Sequence, residues 1–160
     1  MSKLLELIVM FVILLVSFGV KGQDRSPGTK ETPGISVALT FINDYVKHCD
    51  NKGSESKTTE WIEGNKLVTK EFKKAYRDLI DEGKKKEPEL GLGFDPIFNA
   101  QDYPEKGFEF LKSDNGEYVT VRGKDWPTFT TVIRIRLTGD RWMVDGAGII
   151  NMPQHKQKSN

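Results

Sequence analysis

The chain has 160 residues, 37% of them hydrophobic, with 24 basic and 23 acidic side chains; this is enough apolar material for one core but not two, so a single domain is expected. The charge balance argues against nucleic acid, whose binding depends on clustered Lys and Arg neutralising phosphates, and gives no general attraction to an anionic membrane. One cysteine, Cys49, excludes an intramolecular disulfide, and two histidines, His48 and His155, are too few and too distant for a metal cage.

Lys3 and an apolar run from Leu4 to Val20, interrupted only by Glu6, form the charged start and hydrophobic core of a secretion signal. Residues 1–22 read as a signal peptide cleaved after Gly22, and the domain as periplasmic or secreted. An uncleaved signal would be its one route to a membrane, since the run approaches spanning length. No cysteine stands near the exit to take a lipid anchor of the bacterial lipoprotein kind. Removing Lys3, Lys21 and Glu6 with the signal leaves 22 residues of each sign, a formally neutral domain. Residues 23–34, rich in Pro, Gly, Ser and Thr, read as a flexible tether.

A single α+β domain is expected over 35–153. Ile35, Ala38, Leu39, Ile42, Tyr45, Val46 and Cys49 recur at helical spacing and predict a helix over 35–49, with Cys49 on its apolar face. A short turn over 60–63 would bury Trp61 and Ile62. Thr69 as N-cap, Glu71 in the first turn and the stripe Phe72, Ala75, Tyr76, Leu79 and Ile80 predict a further helix, with Gly83 placed to end it. Pro88 to Pro104 has no period but is too apolar for a linker, so an ordered loop packed on the body is expected. Beyond Gly107 the period becomes two. Phe108 and Phe110 begin a strand, Asp114-Asn115-Gly116 is a hairpin turn, and Tyr118 to Arg122 returns. A third strand over 128–138 puts Ile133, Ile135 and Leu137 on one face and Arg134 and Arg136 on the other, and a fourth follows from Arg141. Residues 154–160 read as a disordered tail.

The order of helices, long loop and strands closing in Gly139-Asp140-Arg141-Trp142-Met143-Val144-Asp145 resembles the cone-shaped nuclear transport factor 2-like superfamily. More narrowly, Phe94-Asp95-Pro96-Ile97 with Ala100-Gln101-Asp102 is similar to bacterial envelope proteins grouped as domain of unknown function 3828. The resemblance covers roughly residues 35–151, and the early strand pair usual in the superfamily has no counterpart signal in this chain. It implies two to three helices packed on a curved antiparallel sheet of about four strands, with a pocket between them. The superfamily includes both enzymes and pure binding domains, and homodimers formed through the open sheet face.

Tyr45, Tyr76, Phe94, Asp95, Asp102, Trp126, Arg134, Arg136 and Trp142 are the candidate ligand-binding residues. Asp102 and Asp145 are the candidate bases should the chain be an isomerase or dehydratase, with Tyr45 or Tyr76 as hydrogen-bond donor. Asp95 before Pro96 suits a turn, and Asp145 suits a surface or loop cap. Arg134 and Arg136 form a cationic row that could grip a carboxylate, or could pair across strands with Glu109 or Glu117. Without paired catalytic groups, the expectation is a noncatalytic exported binding domain that needs no cofactor. Its partner would be an envelope protein, a neutralised toxin among them, or a small ligand, and exposure of Tyr103, Trp126 and Phe129 would favour a protein.

Overall fold

The computed structural model describes residues 32–51 and 55–157, the side chains of 55 and 56 excepted. The signal over 1–22 and the tether up to residue 31 lie outside the described residues. Helix α1 (Pro33–Asp50) starts two residues before the expected boundary, because Thr32 is extended and caps it. Its hydroxyl accepts Ile35 N–H and its carbonyl accepts Ser36 N–H at 3.0 Å, while Pro33 occupies the first turn, where its missing N–H is harmless. Ile35, Ala38, Phe41, Ile42, Tyr45 and Val46 form the buried stripe.

Helix α2 (Glu55–Gly64) is longer than the expected turn and buries Ile62. Helix α3 (Lys70–Lys86) begins at the expected cap, where Thr69 Oγ accepts Phe72 N–H at 3.1 Å. It runs past Gly83, which does not end it. The side chain of Leu92 packs so closely that a Cβ on Gly83 would lie 2.9 Å from its Cδ2, so this glycine admits a neighbour instead of stopping the helix.

Four strands, β1 (Phe108–Asp114), β2 (Tyr118–Gly123), β3 (Thr130–Thr138) and β4 (Arg141–Ala147), form an antiparallel sheet in chain order. Asn115 and Gly116 carry consecutive positive φ values, 51° and 68°, as the β1–β2 turn requires. The protein is therefore an α+β domain, with α1 packed across all four strands and α3 against β4. Val119, Val121, Ile133, Ile135 and Val144 face the helices. Bulges in β1, between Phe110 and Lys112, and in β4, where Asp145 is the extra residue opposite Arg134 and Ile135, bend a curved sheet.

Leu137 shares the face of Ile133 and Ile135 but is half exposed, because β3 extends beyond the helical layer. The second face is partly covered by the chain after β4. Met152 reaches the space above Gly146, and Lys156 pairs with Asp114 with its ammonium 4.9 Å from the Tyr118 ring centroid. Instead of fraying from residue 154 as expected, the chain makes a 3-10 turn over Gln154–Lys156, held by that pairing and by Gln157 donating to Met152 O at 2.8 Å.

Candidate functional site

The long loop before β1 is built around Asp95. Its Oδ1 accepts the backbone N–H groups of Ile97 (2.8 Å) and Phe98 (3.0 Å), the short-range bonding by which Asp nucleates turns. Backbone bonds between Asp95 and Ala100 close the tip at 2.9 and 3.3 Å, and Asn99 turns it with φ of 55°. Ile97 and Phe98 are fully buried beneath, Phe98 with its ring centroid 5.1 Å from that of Tyr45 and 4.8 Å from that of Tyr103. Ile149 N–H donates to Pro96 O at 3.0 Å, which ties the loop to the end of β4. A tip held this firmly presents Phe94 as a fixed ridge with a depression on either side.

The first depression, about 300 Å³, lies between the helices and the loop and brings together Tyr45, Tyr76, Phe94 and Asp95 with Thr58 and Leu90. Asp95 Oδ2 accepts the Tyr45 hydroxyl at 2.6 Å. Burial holds the Asp95 carboxyl above its ordinary range despite the Tyr45, Phe98 and Ile97 hydrogen bonds that pull it down. Burial, and then the charge of Asp95, pushes the Tyr45 phenol well above 10. On the same helix, burial raises the Cys49 thiol to about 12, leaving almost no thiolate for chemistry at neutral pH. His48 stacks on Trp61, ring centroids 5.3 Å apart, and meets Thr58 Oγ at 3.2 Å; burial lowers its pKa.

A carboxyl whose folded pKa is raised binds its proton more tightly in the native state. Its contribution is fully present below the unfolded value of about 4 and is lost as pH rises through the folded value. Asp95→Asn, which keeps the acceptor for both amides, is therefore expected to match or slightly exceed the wild type at pH 7 and to flatten the decline from pH 4 upward. Asp95→Ala, which strands those amides and the Tyr45 hydroxyl, is expected to cost about 2 kcal/mol. Urea unfolding from pH 4 to 8 measures both, and an Asn variant as unstable as the Ala variant would show that the ionised form is needed.

The second depression is an open groove of about 460 Å³ on the other side of Phe94, lined also by Asn99, Ala100, Gln101, Asp102, Trp126 and Phe129. Phe94 is 36% and Trp126 45% exposed, whereas Phe129 is buried beneath Trp126, ring centroids 5.1 Å apart. Phe129 N–H donates to Trp126 O and Gly123 N–H to Phe129 O, both at 3.0 Å, and hold the indole in place. Tyr103 is half-buried and donates to Asp50 at 3.2 Å. Of the three aromatics whose exposure would favour a protein partner, Trp126 is the one that is exposed.

Arg134, Arg136 and Asp145 lie apart from both depressions. Asp145 is fully buried, so it is not a surface carboxylate, and it lines neither depression. Its Oδ2 accepts both arginines and its Oδ1 accepts Thr69 Oγ at 2.7 Å. The arginines therefore form no open row, and they do not pair with Glu109 or Glu117. Glu109 instead holds Arg122 at 2.7 Å. Trp142 packs on the core, its ring 3.2 Å from where a Cβ on Gly34 would sit. Asp102 lies exposed on the groove, away from Tyr45 and Tyr76.

The candidate residues thus separate into a helix-side pocket, a groove and a buried ion network, with Trp142 in the core. Sequence reasoning missed Asn99, whose only signal was its place between the Phe94-Asp95-Pro96-Ile97 and Ala100-Gln101-Asp102 segments, gave Gln101 no site role although it stands in the second of them, and missed Asn43, which clamps α1 to β1. Asn43 donates to Phe108 O at 3.1 Å and accepts Phe108 N–H at 2.8 Å. Among family models, curated proteins and solved structures nothing matches the chain, so a functional reading of the groove has to rest on its own side chains.

Proposed function

We propose that the chain is an exported, noncatalytic binding domain of the bacterial envelope, and that it holds its protein or small-ligand partner at the groove between Phe94 and Trp126. Two large aromatic rings left in water, flanking a depression with an amide-rich wall, carry this reading. Exposed aromatics on rigid turns lose little entropy on contact and are the side chains on which binding energy concentrates. Export rests on the apolar run over 4–20.

The helix-side pocket favours binding over catalysis. A general base needs a free oxygen within reach of substrate. Asp95 gives Oδ1 to two amides and Oδ2 to Tyr45, so its hydrogen bonds already hold the loop together.

The domain from Gln23 onward and its Phe94→Ala/Trp126→Ala variant, each immobilised and incubated with native envelope extract, test this directly. The wild type is expected to retain a stoichiometric protein or small molecule, and the variant to lose at least about 90% of it, as for a pair of hot-spot truncations. Equal retention by both would move the site away from the groove.

A further inference from the structure

We propose that the groove receives a basic side chain, lysine or arginine, presented by a partner protein; this rests on the reading of the groove as the binding site. Its walls offer negative electrostatic potential in two forms. Phe94 and Trp126 line the groove, and the face of an aromatic ring is the electron-rich side of its quadrupole, which attracts ammonium and guanidinium groups. Asp102 contributes the one formal charge among the groove's described lining residues, and among the described residues its carboxylate has neither hydrogen bond nor ion pair.

Asp102 shares this with other exposed carboxylates such as Asp81, Glu82 and Asp140, but of these it alone lines the groove. Asp44, Glu63, Asp78, Glu109, Asp114 and Asp145 each hold a cation. None of the groove's described lining residues is a lysine or arginine. Gln101 gives an amide N–H to Gly93 O at 3.3 Å, which leaves its carbonyl oxygen as an acceptor. Aromatic faces, a carboxylate and a carboxamide oxygen together suit a donor-rich cation. An anion would meet Asp102, and a purely apolar group would desolvate it without replacing its water. The groove is open to solvent, so a small free cation would remain largely wet. A side chain delivered by a docked surface would have that surface close over it.

Two pairs of capped tripeptides test the charge while holding shape nearly constant: one with central arginine or citrulline, the other with central lysine or acetyl-lysine. Titration of the 15N-labelled protein, followed at the Trp126 indole N–H and the backbone signals of residues 99–102, reads binding and fold at once. The charged member of each pair is expected to bind roughly tenfold more tightly, one cation–π contact and one exposed ion pair being together of that order. Asp102→Asn should reduce this difference to about threefold or less while leaving the rest of the spectrum in place. Equal binding of charged and neutral peptides, or an unchanged preference in Asp102→Asn, would overturn the assignment. So would guanidinium or methylammonium ion alone saturating the same signals as tightly as the peptides, which would assign the groove to small cations. If these titrations fail while the Phe94→Ala/Trp126→Ala variant still loses the captured partner, the binding site stands and the cation preference falls. Retention of that partner by the variant would remove the site itself.

Discussion

Replacing Asp145 with alanine is expected to destabilise the domain by about 3 kcal/mol or more, because it removes the carboxylate that two arginines share and leaves Arg134, unlike Arg136 with Glu71 at 3.9 Å, no counter-charge among the described residues. Asp145 has no exposed surface, and the Arg134 side chain is only 17% exposed. Arg134 also already has a buried Nε without a partner. Without the carboxylate its guanidinium would be left charged and poorly hydrated. Arg136, 48% exposed, can return to water and contributes less. Thr69 would lose the acceptor that fixes its hydroxyl while it caps α3. Adding Arg134→Met to Asp145→Ala should recover part of the loss, since an apolar replacement removes the stranded charge. Urea denaturation of the single and double variants measures both effects. A loss under about 1 kcal/mol for Asp145→Ala would show that the network behaves like a solvated surface pair.

A comparable loss, about 3 kcal/mol or more, is expected from Gly148→Ala. Gly148 has φ of 57°, and a Cβ there would stand 2.2 Å from Pro96 O and 2.4 Å from Ile97 O. Both atoms belong to backbone held by the Asp95 turn, so neither can swing aside as a side-chain end could. Relief would require separating the loop from β4 and breaking the bond from Ile149 N–H to Pro96 O. Gly116→Ala is the control. Its φ of 68° is equally left-handed, but nothing lies within 4 Å of the added carbon, so it should cost only about 1 kcal/mol. If the two variants unfold at the same urea concentration, backbone strain alone accounts for Gly148. A larger loss for Gly148→Ala, with altered Trp126 fluorescence, would show that the groove depends on this contact.

Features decided over a few residues were readable in the sequence. Thr69 and Glu71 at the start of α3, the Asp114-Asn115-Gly116 turn and the alternation in β3 follow from local hydrogen bonding and from side chains alternating across a sheet. Asp145 was not readable, because its burial depends on partners 9, 11 and 76 residues earlier in the chain. Gly83 carried the signature of a helix stop, and only the packing of Leu92 from beyond the helix turns it into a contact site. The groove was legible in its parts and not as a whole: Phe94, Asp102 and Trp126 could be singled out, but the turn that sets Phe94 across from Trp126 is made by Asp95 bonding to Ile97 and Phe98. Phe129, whose exposure would have favoured a protein partner, is buried because the short turn back from Trp126 folds the indole over it.

The separation between Thr69 and Asp145 bears on the order in which the structure can form. The cap of α3 is completed by the last strand, 76 residues downstream, and the start of that helix is pinned by backbone bonds between Leu67, Thr69 and Val144. As the chain emerges from the ribosome, α1 and α3 are available early but have no sheet to cover and, for α3, no anchor. Contacts this distant in sequence must wait for closure of a long loop, which slows folding and makes the last step cooperative. The helices and strands should therefore settle together, once β4 has been made, with few half-built forms along the way.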